Sequence, residues 1–175
     1  ENHYLERNEE ILFQEGHTKS VSCLSMQNDG ALCATGSMDS FGRVWDLRTG
    51  RCIMFLSGHQ SGIVCIDWSP DCYHLATGSQ DNSVRVWDVR QRSTIHTLPA
   101  HTSLVSGVKF DKCNGSFLAT ASYDGTVRLW PHKTSQMLRC LEGHGQKVTS
   151  VDVSPDGCSV ATSAFDKTYK IWGPD

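Results

Sequence analysis

No run of apolar residues in this 175-residue chain comes near the roughly 20 needed to cross a bilayer as a helix. The opening ENHYLERNEE is too polar for a secretory signal peptide. Positive charge is short as well. Sixteen Lys and Arg stand against 19 Asp and Glu, a net charge of -3, so no overall field exists to hold nucleic acid by its phosphates, and any RNA contact has to be local. Five of the acids lie in residues 1–15, leaving the rest nearly neutral. The chain has no GxGxxG, Walker or HExxH pattern. Its eight cysteines include no CxxC pair, which removes the usual sign of a zinc site and favours small core thiols over a disulfide framework. No metal or cofactor is expected. Hydrophobic residues at 38% and charged residues at 20% suit one globular domain. The first residue is Glu1 rather than Met, so a longer parent chain is expected.

What the chain does have is a repeat. Histidine preceded by a small residue recurs at Gly16-His17, Gly58-His59, Ala100-His101 and Gly143-His144, at intervals of 42, 42 and 43 residues. Trp45, Trp87, Trp130 and Trp172 follow those histidines by 28, 28, 29 and 28 residues. Between them ATGSMDSFGRVWD, ATGSQDNSVRVWD, ATASYDGTVRLWP and ATSAFDKTYKIWG align without a gap. Each unit holds short alternating runs such as VSCLSM, ALCATGS and GRVWDL, separated by turn signals such as Asn28-Asp29-Gly30 and Pro155-Asp156-Gly157. These read as strands a, b and c, followed by a strand d in segments such as RCIMFLSGH. No helix-period segment competes, so the chain is an all-β array.

The GH and WD signatures at these distances resemble those of WD-repeat β-propellers over nearly the whole chain. The resemblance implies that each sequence repeat supplies the outer strand d of one blade and then strands a, b and c of the next. Residues 1–15 are then an outer strand d of a preceding or closing blade, and 16–57, 58–99, 100–142 and 143–175 are four repeats. The expected fold is an all-β WD-repeat β-propeller with four four-stranded blades, read as the C-terminal part of a seven-bladed ring. Alone, such an arc exposes two apolar blade faces and sheet edges.

His17, Ser37 and Asp39 have the residue types of a nucleophilic triad, as do His59, Ser79, Asp81 and His101, Ser122, Asp124. A catalytic site rarely recurs once per structural repeat, so no enzyme is expected. The resemblance instead implies that these residues join Trp45, Trp87 and Trp130 in buried networks. In the last unit His144, Asp166 and Trp172 remain, while Ala164 replaces the serine. That network is expected to be incomplete and the last blade the weakest. Cys23 and Cys65 share one strand-a position with Gly107 and Ser150, all small, as a crowded inner strand requires.

In the resembled family the d–a and b–c loops form one rim, and partners engage the residue before the turn aspartate. Those positions are Met38, Gln80, Tyr123 and Phe165, with Leu104 and Lys147 on nearby strand-a positions. Aromatic and apolar residues suit a protein partner. The opposite rim carries Arg48, Arg51, Arg90 and Arg92 on successive c–d loops, a possible RNA-phosphate or adaptor contact. Asp29, Asp71, Asp111 and Asp156 share that rim and offset the field.

EEILFQEGH at 9–17, FGRVWDLRTGRCIMFLSGH at 41–59, YHLATGSQDNSVRVWDVRQR at 73–92, and Pro99-Ala100-His101 with LVSGVKF resemble the WD-repeat subunits of the U4/U6 small nuclear ribonucleoprotein. That likeness implies a nuclear, non-enzymatic splicing scaffold partnered by pre-mRNA-processing factor three and by other proteins and RNA of the tri-snRNP. His3-Tyr4 departs from the tryptophan-aspartate pair those subunits carry there. A second likeness is carried by Trp45-Asp46-Leu47-Arg48 and Trp87-Asp88-Val89-Arg90. They resemble the WDxR boxes by which substrate receptors dock on the adaptor of a cullin ubiquitin ligase, with Arg48 and Arg90 as docking residues.

Overall fold

The computed structural model describes residues 13–174. Fifteen strands and no helix occur among them. The first blade is β1 (Val21–Met26), β2 (Leu32–Ser37), β3 (Gly42–Asp46) and β4 (Arg51–Leu56). The second is β5 (Ile63–Trp68), β6 (His74–Ser79), β7 (Val84–Asp88) and β8 (Ser93–Leu98). The third is β9 (Val105–Phe110), β10 (Phe117–Ser122), β11 (Val127–Pro131) and the short β12 (Arg139–Leu141). The last comprises β13 (Val148–Val153), β14 (Val160–Ala164) and β15 (Tyr169–Trp172). Every sheet is an antiparallel meander in chain order. Three sheets have four strands and the last has three, so the expectation of four complete blades is corrected: among the described residues no strand d follows β15. The candidate leading strand d lies outside the described residues except for Phe13, which is exposed and belongs to no strand.

Local sequence explains the turns. In the a–b turns Asp29 and Asp71 accept backbone N–H groups two residues on, from Ala31 at 3.0 Å and Tyr73 at 2.8 Å, as Asx turns do. In the b–c turns Asp39, Asp81, Asp124 and Asp166 do the same for Phe41, Ser83, Thr126 and Thr168. The residue after each of these aspartates is left-handed: Ser40, Asn82 and Lys167 at φ of 72°, 69° and 67°, and Gly125 at 88°. Only the third blade places there the residue that adopts this conformation without strain.

The four sheets stack through three apolar layers. Ala34, Val44 and Leu56 meet Ile66, Trp68 and Leu75 between the first and second blades. Ala76, Val84 and Leu98 meet Val108, Phe110 and Leu118 between the second and third. Ala119, Ala121 and Val127 meet Val151, Val153 and Val160 between the third and fourth. Near the axis the fit is tight. A Cβ on Gly36 would lie 2.6 Å from Ile63 and 2.7 Å from the Cys23 sulfur, and one on Gly78 would lie 2.6 Å from the Cys65 sulfur. All eight cysteines are free thiols. Burial pushes Cys23 up to about 11 and Cys65 well above its usual range, so both are packing groups rather than nucleophiles.

One position in strand a shows how the arc is built. Ile66, Val108 and Val151, each seven residues after its repeat's histidine, are 6%, 2% and 3% exposed against the preceding blade. Leu24 holds the same position in the first blade and is 65% exposed, with Met26 beside it at 48%. At the other end Tyr169 and Ile171 are 77% and 68% exposed. Both flanks of the arc are therefore apolar blade faces.

Candidate functional site: hydrogen-bonded spines and an aromatic rim

Each blade contains one polar spine, and its central hydroxyl is a threonine. In the second blade the Trp87 indole N–H donates to Thr77 Oγ1 at 2.9 Å, Thr77 lies 2.8 Å from His59 Nε2, and His59 Nδ1 lies 2.9 Å from Asp81 Oδ2. The backbone N–H of Gln60 completes the run at Asp81 Oδ2, 2.9 Å away. With the imidazole neutral, one proton assignment gives every contact a donor: indole to threonine, threonine to Nε2, Nδ1–H to carboxylate. Burial lowers the pKa of His59 and His101 despite the facing Asp81 and Asp124, which agrees with the neutral ring. The same geometry joins Trp45, Thr35, His17 and Asp39, and Trp130, Thr120, His101 and Asp124.

Ser37, Ser79 and Ser122 lie beside the spine. Each hydroxyl braces the d–a loop, donating to the carbonyls of Lys19, Ser61 and Leu104 at 3.2, 3.0 and 2.8 Å. Each also accepts the N–H of the turn aspartate. No serine touches its histidine, and both imidazole nitrogens are engaged elsewhere, so the triad residue types do not form a nucleophile–base pair. The Ala-Thr pair is identical in all four copies, at Thr35, Thr77, Thr120 and Thr162, whereas the serine two residues on is present in only three.

The last blade corrects a second expectation. His144, Thr162, Asp166 and Trp172 form the full spine, with all three contacts at 2.9 Å. Ala164 removes only the brace to the loop.

The four rim positions are held alike. The backbone N–H groups of Met38, Gln80, Tyr123 and Phe165 donate to the carbonyls of Ser20, Gly62, Leu104 and Lys147 at 3.0, 2.9, 3.1 and 2.9 Å. Each rim side chain thus springs from a rigid ladder end, not from a free loop. The Met38 sulfur would lie 2.6 Å from a Cβ on Gly62, so that glycine makes room for it. Tyr123 and Phe165 meet edge to face across the last two blades, and the Lys147 ammonium lies 5.1 Å from the Tyr123 ring. Together with His144, Gly145 and Gln146 they line a groove of about 530 Å³. Leu104 is half-buried and Gln80 exposed, and neither lines that groove.

On the opposite rim Arg48, Arg51, Arg90 and Arg92 are all exposed. Arg90 is held over the Tyr73 ring at 4.0 Å and lies 3.4 Å from Asp88, whereas Arg48 is tied through its backbone N–H to Asp46 at 2.9 Å. Asp111 is buried and consumed by its own turn, accepting from Cys113 and Ser116. The basic residues two before each tryptophan belong to the scaffold: Arg43 and Arg128 donate to the carbonyls of Gly16 and Ala100 at 2.7 and 2.9 Å.

Four segments, 8–46, 50–88, 92–131 and 135–173, match the family described as WD domain, G-beta repeat. The chain belongs to the WD-repeat family. The matched segments open upstream of each small residue–histidine pair and close at or just after the tryptophan, which is the d-then-a-b-c phase that the strand pairing displays. WD-repeat proteins are in general non-catalytic scaffolds and adaptors for other macromolecules, and the closed spines and open rims of this chain fit that kind of work.

Proposed function

We propose that this WD-repeat chain is a nuclear scaffold subunit of the U4/U6 and U4/U6.U5 small nuclear ribonucleoproteins, similar to pre-mRNA-processing factor four, and that it acts in pre-mRNA splicing by holding protein partners. The observation that carries the scaffold reading is the rim itself. Two aromatic rings and a lysine, fixed by ladder ends of adjacent blades, offer rigid contact area at low entropic cost. The splicing assignment is supported by the likeness of residues 9–17, 41–59 and 73–92 and by Pro99-Ala100-His101, where the usual signature has Gly-His. Pre-mRNA-processing factor three is the proposed protein partner, with any RNA contact falling on the exposed arginines of the other rim.

Capture of the tagged chain from nuclear extract tests this. U4 and U6 RNA together with pre-mRNA-processing factor three are expected in the eluate. Exposure of Arg48 and Arg90 at equivalent places in neighbouring blades favours a second reading, docking on a cullin adaptor. Recovery of that adaptor, lost in Arg48→Ala/Arg90→Ala, would replace the splicing assignment.

A further inference from the structure

On the rim opposite Tyr123 and Phe165, a neighbouring pair of side chains from the second blade and one from the third point at one spot. Asp71 lies in the a–b turn of the second blade, His74 opens β6, and His132 follows β11 in the third blade. Asp71 Oδ2 is 2.5 Å from His74 Nδ1, His74 Nδ1 is 3.1 Å from His132 Nε2, and His132 Nε2 is 3.9 Å from Asp71 Oδ2. Without an ion the triangle is held by a single proton: His74 Nδ1–H donates to Asp71 Oδ2, and an unprotonated His132 Nε2 can share that hydrogen.

A cation in place of that proton would meet three lone pairs at once. The longest side of the triangle is close to the hypotenuse of the other two, so a point near its middle stands about 2 Å from all three atoms, the length of a zinc–nitrogen or zinc–carboxylate bond. The ligand set is that of an open zinc site, three protein ligands with water in the fourth position, and a small rotation of Asp71 that opens the 2.5 Å pair with His74 and closes the 3.9 Å gap to His132 brings it toward tetrahedral angles.

The ligands are also held in place before any ion arrives. Asp71 Oδ1 is occupied by the N–H groups of Tyr73 and His74 at 2.8 and 3.1 Å, which leaves Oδ2 to face the histidines. His74 Nε2 lies 3.8 Å from Asp88 Oδ2, beyond a direct hydrogen bond but within reach of one after a small ring rotation. His132 is pinned by its backbone N–H to the Ser116 carbonyl at 3.0 Å and packs edge-on against Phe110. Its Nδ1 is buried and unpartnered, so the tautomer that ligates through Nε2 leaves one buried N–H without an acceptor, a cost that ion binding has to offset. Beside the cluster opens a groove of about 510 Å³ lined by Asn114, Ser116 and Lys133.

We propose that Asp71, His74 and His132 form a binding site for a divalent first-row transition ion, zinc, that staples the second blade to the third. Two imidazoles and one carboxylate suit zinc better than calcium or magnesium, which prefer all-oxygen shells. The sequence holds no warning of the site, because His74 and His132 are 58 residues apart and meet only where two blades abut.

Zinc titration of the metal-free chain by calorimetry, paired with cobalt substitution, tests the site. The expected result is one equivalent bound, a melting temperature raised by about 2–4 °C at saturation, and visible cobalt bands without the near-ultraviolet charge-transfer band that thiolate ligands give. His132→Gln should weaken binding at least tenfold. Asp71→Asn, which keeps the turn acceptor while removing the charge, should weaken it too if the first variant fails to fold. His96→Gln should bind as the parent does. Full-strength binding in both site variants, a thiolate signature pointing to the exposed cysteines, or no binding at millimolar zinc would each overturn the proposal.

Discussion

The rings of Tyr123 and Phe165 meet edge to face with centroids 5.9 Å apart and planes at 80°, joining the b–c turns of the third and fourth blades. The pair covers little: Phe165 remains 53% exposed. Its geometry orders a surface rather than filling a core, and an ordered aromatic surface is what a partner can use.

Replacing both rings tests that use. Tyr123→Ala/Phe165→Ala should reduce partner capture at least tenfold, while melting temperature moves by no more than a few degrees. Undiminished capture at unchanged stability would take the rim out of the functional account.

The threonine spine and the serine brace should differ in cost. Thr120→Val leaves an indole N–H and an imidazole nitrogen without partners and should destabilise the chain by about 1–3 kcal/mol in urea melts. Ser122→Ala removes the bonds to the Ser103 and Leu104 carbonyls and from the Asp124 N–H and should cost less, about 0.5–1.5 kcal/mol. A larger loss at Ser122 than at Thr120 would mean that the loop brace contributes more to stability than the spine.

Acid should weaken the fold in two stages. The folded pKa of His59 and His101 lies below the ordinary 6.5, so below about pH 6.5 the unfolded chain takes up protons that the native spines exclude, and stability falls as pH drops. A second loss follows at lower pH. Burial raises the Asp81 carboxyl, but hydrogen bonds from Ser83, Gln60 and His59 outweigh it and hold it at about 2; its contribution is complete above the ordinary 3.8 and disappears as pH falls toward 2. Melting temperatures that stay level from pH 8 to pH 5 would show that the histidines are not buried neutral.

Leu24 and Ile66 occupy one register position with opposite exposure. Ile66→Ala should cost about 2–5 kcal/mol. Leu24→Ala, facing solvent in this chain, should cost under about 0.5 kcal/mol. A large loss at Leu24 would mean that its face is already covered, by another copy or by residues before Phe13.

Hydrogen exchange should be fastest in β15. Its outer edge is unpaired among the described residues, and Tyr169 and Ile171 are open to solvent. The sequence pointed to the same blade through Ala164, but the spine there is intact, so the reason is the bare edge. Protection of β15 equal to that of β7 would place a strand over it.

Most of the architecture was legible because it repeats. Four copies of one spacing identify strands, turns and blade phase together, and the rim positions follow because each sits just before a turn aspartate that fixes the loop. The spine was only half legible. Thr77 and Ser79 are two residues apart on one strand, so they share a face, and only coordinates show which hydroxyl reaches the histidine. The Asp71, His74 and His132 cluster was not legible at all, since it depends on how two blades meet and belongs to no repeated pattern.

Strand β4 completes the blade begun by β1, yet it sits in the next family-matched segment, 50–88, and not in 8–46. During synthesis no blade can close its sheet until the start of the following repeat has left the ribosome. The unit that folds is therefore out of step with the unit that evolution duplicates, and a gene cut cleanly between repeats would yield a protein with a raw edge at one end and an orphan strand at the other.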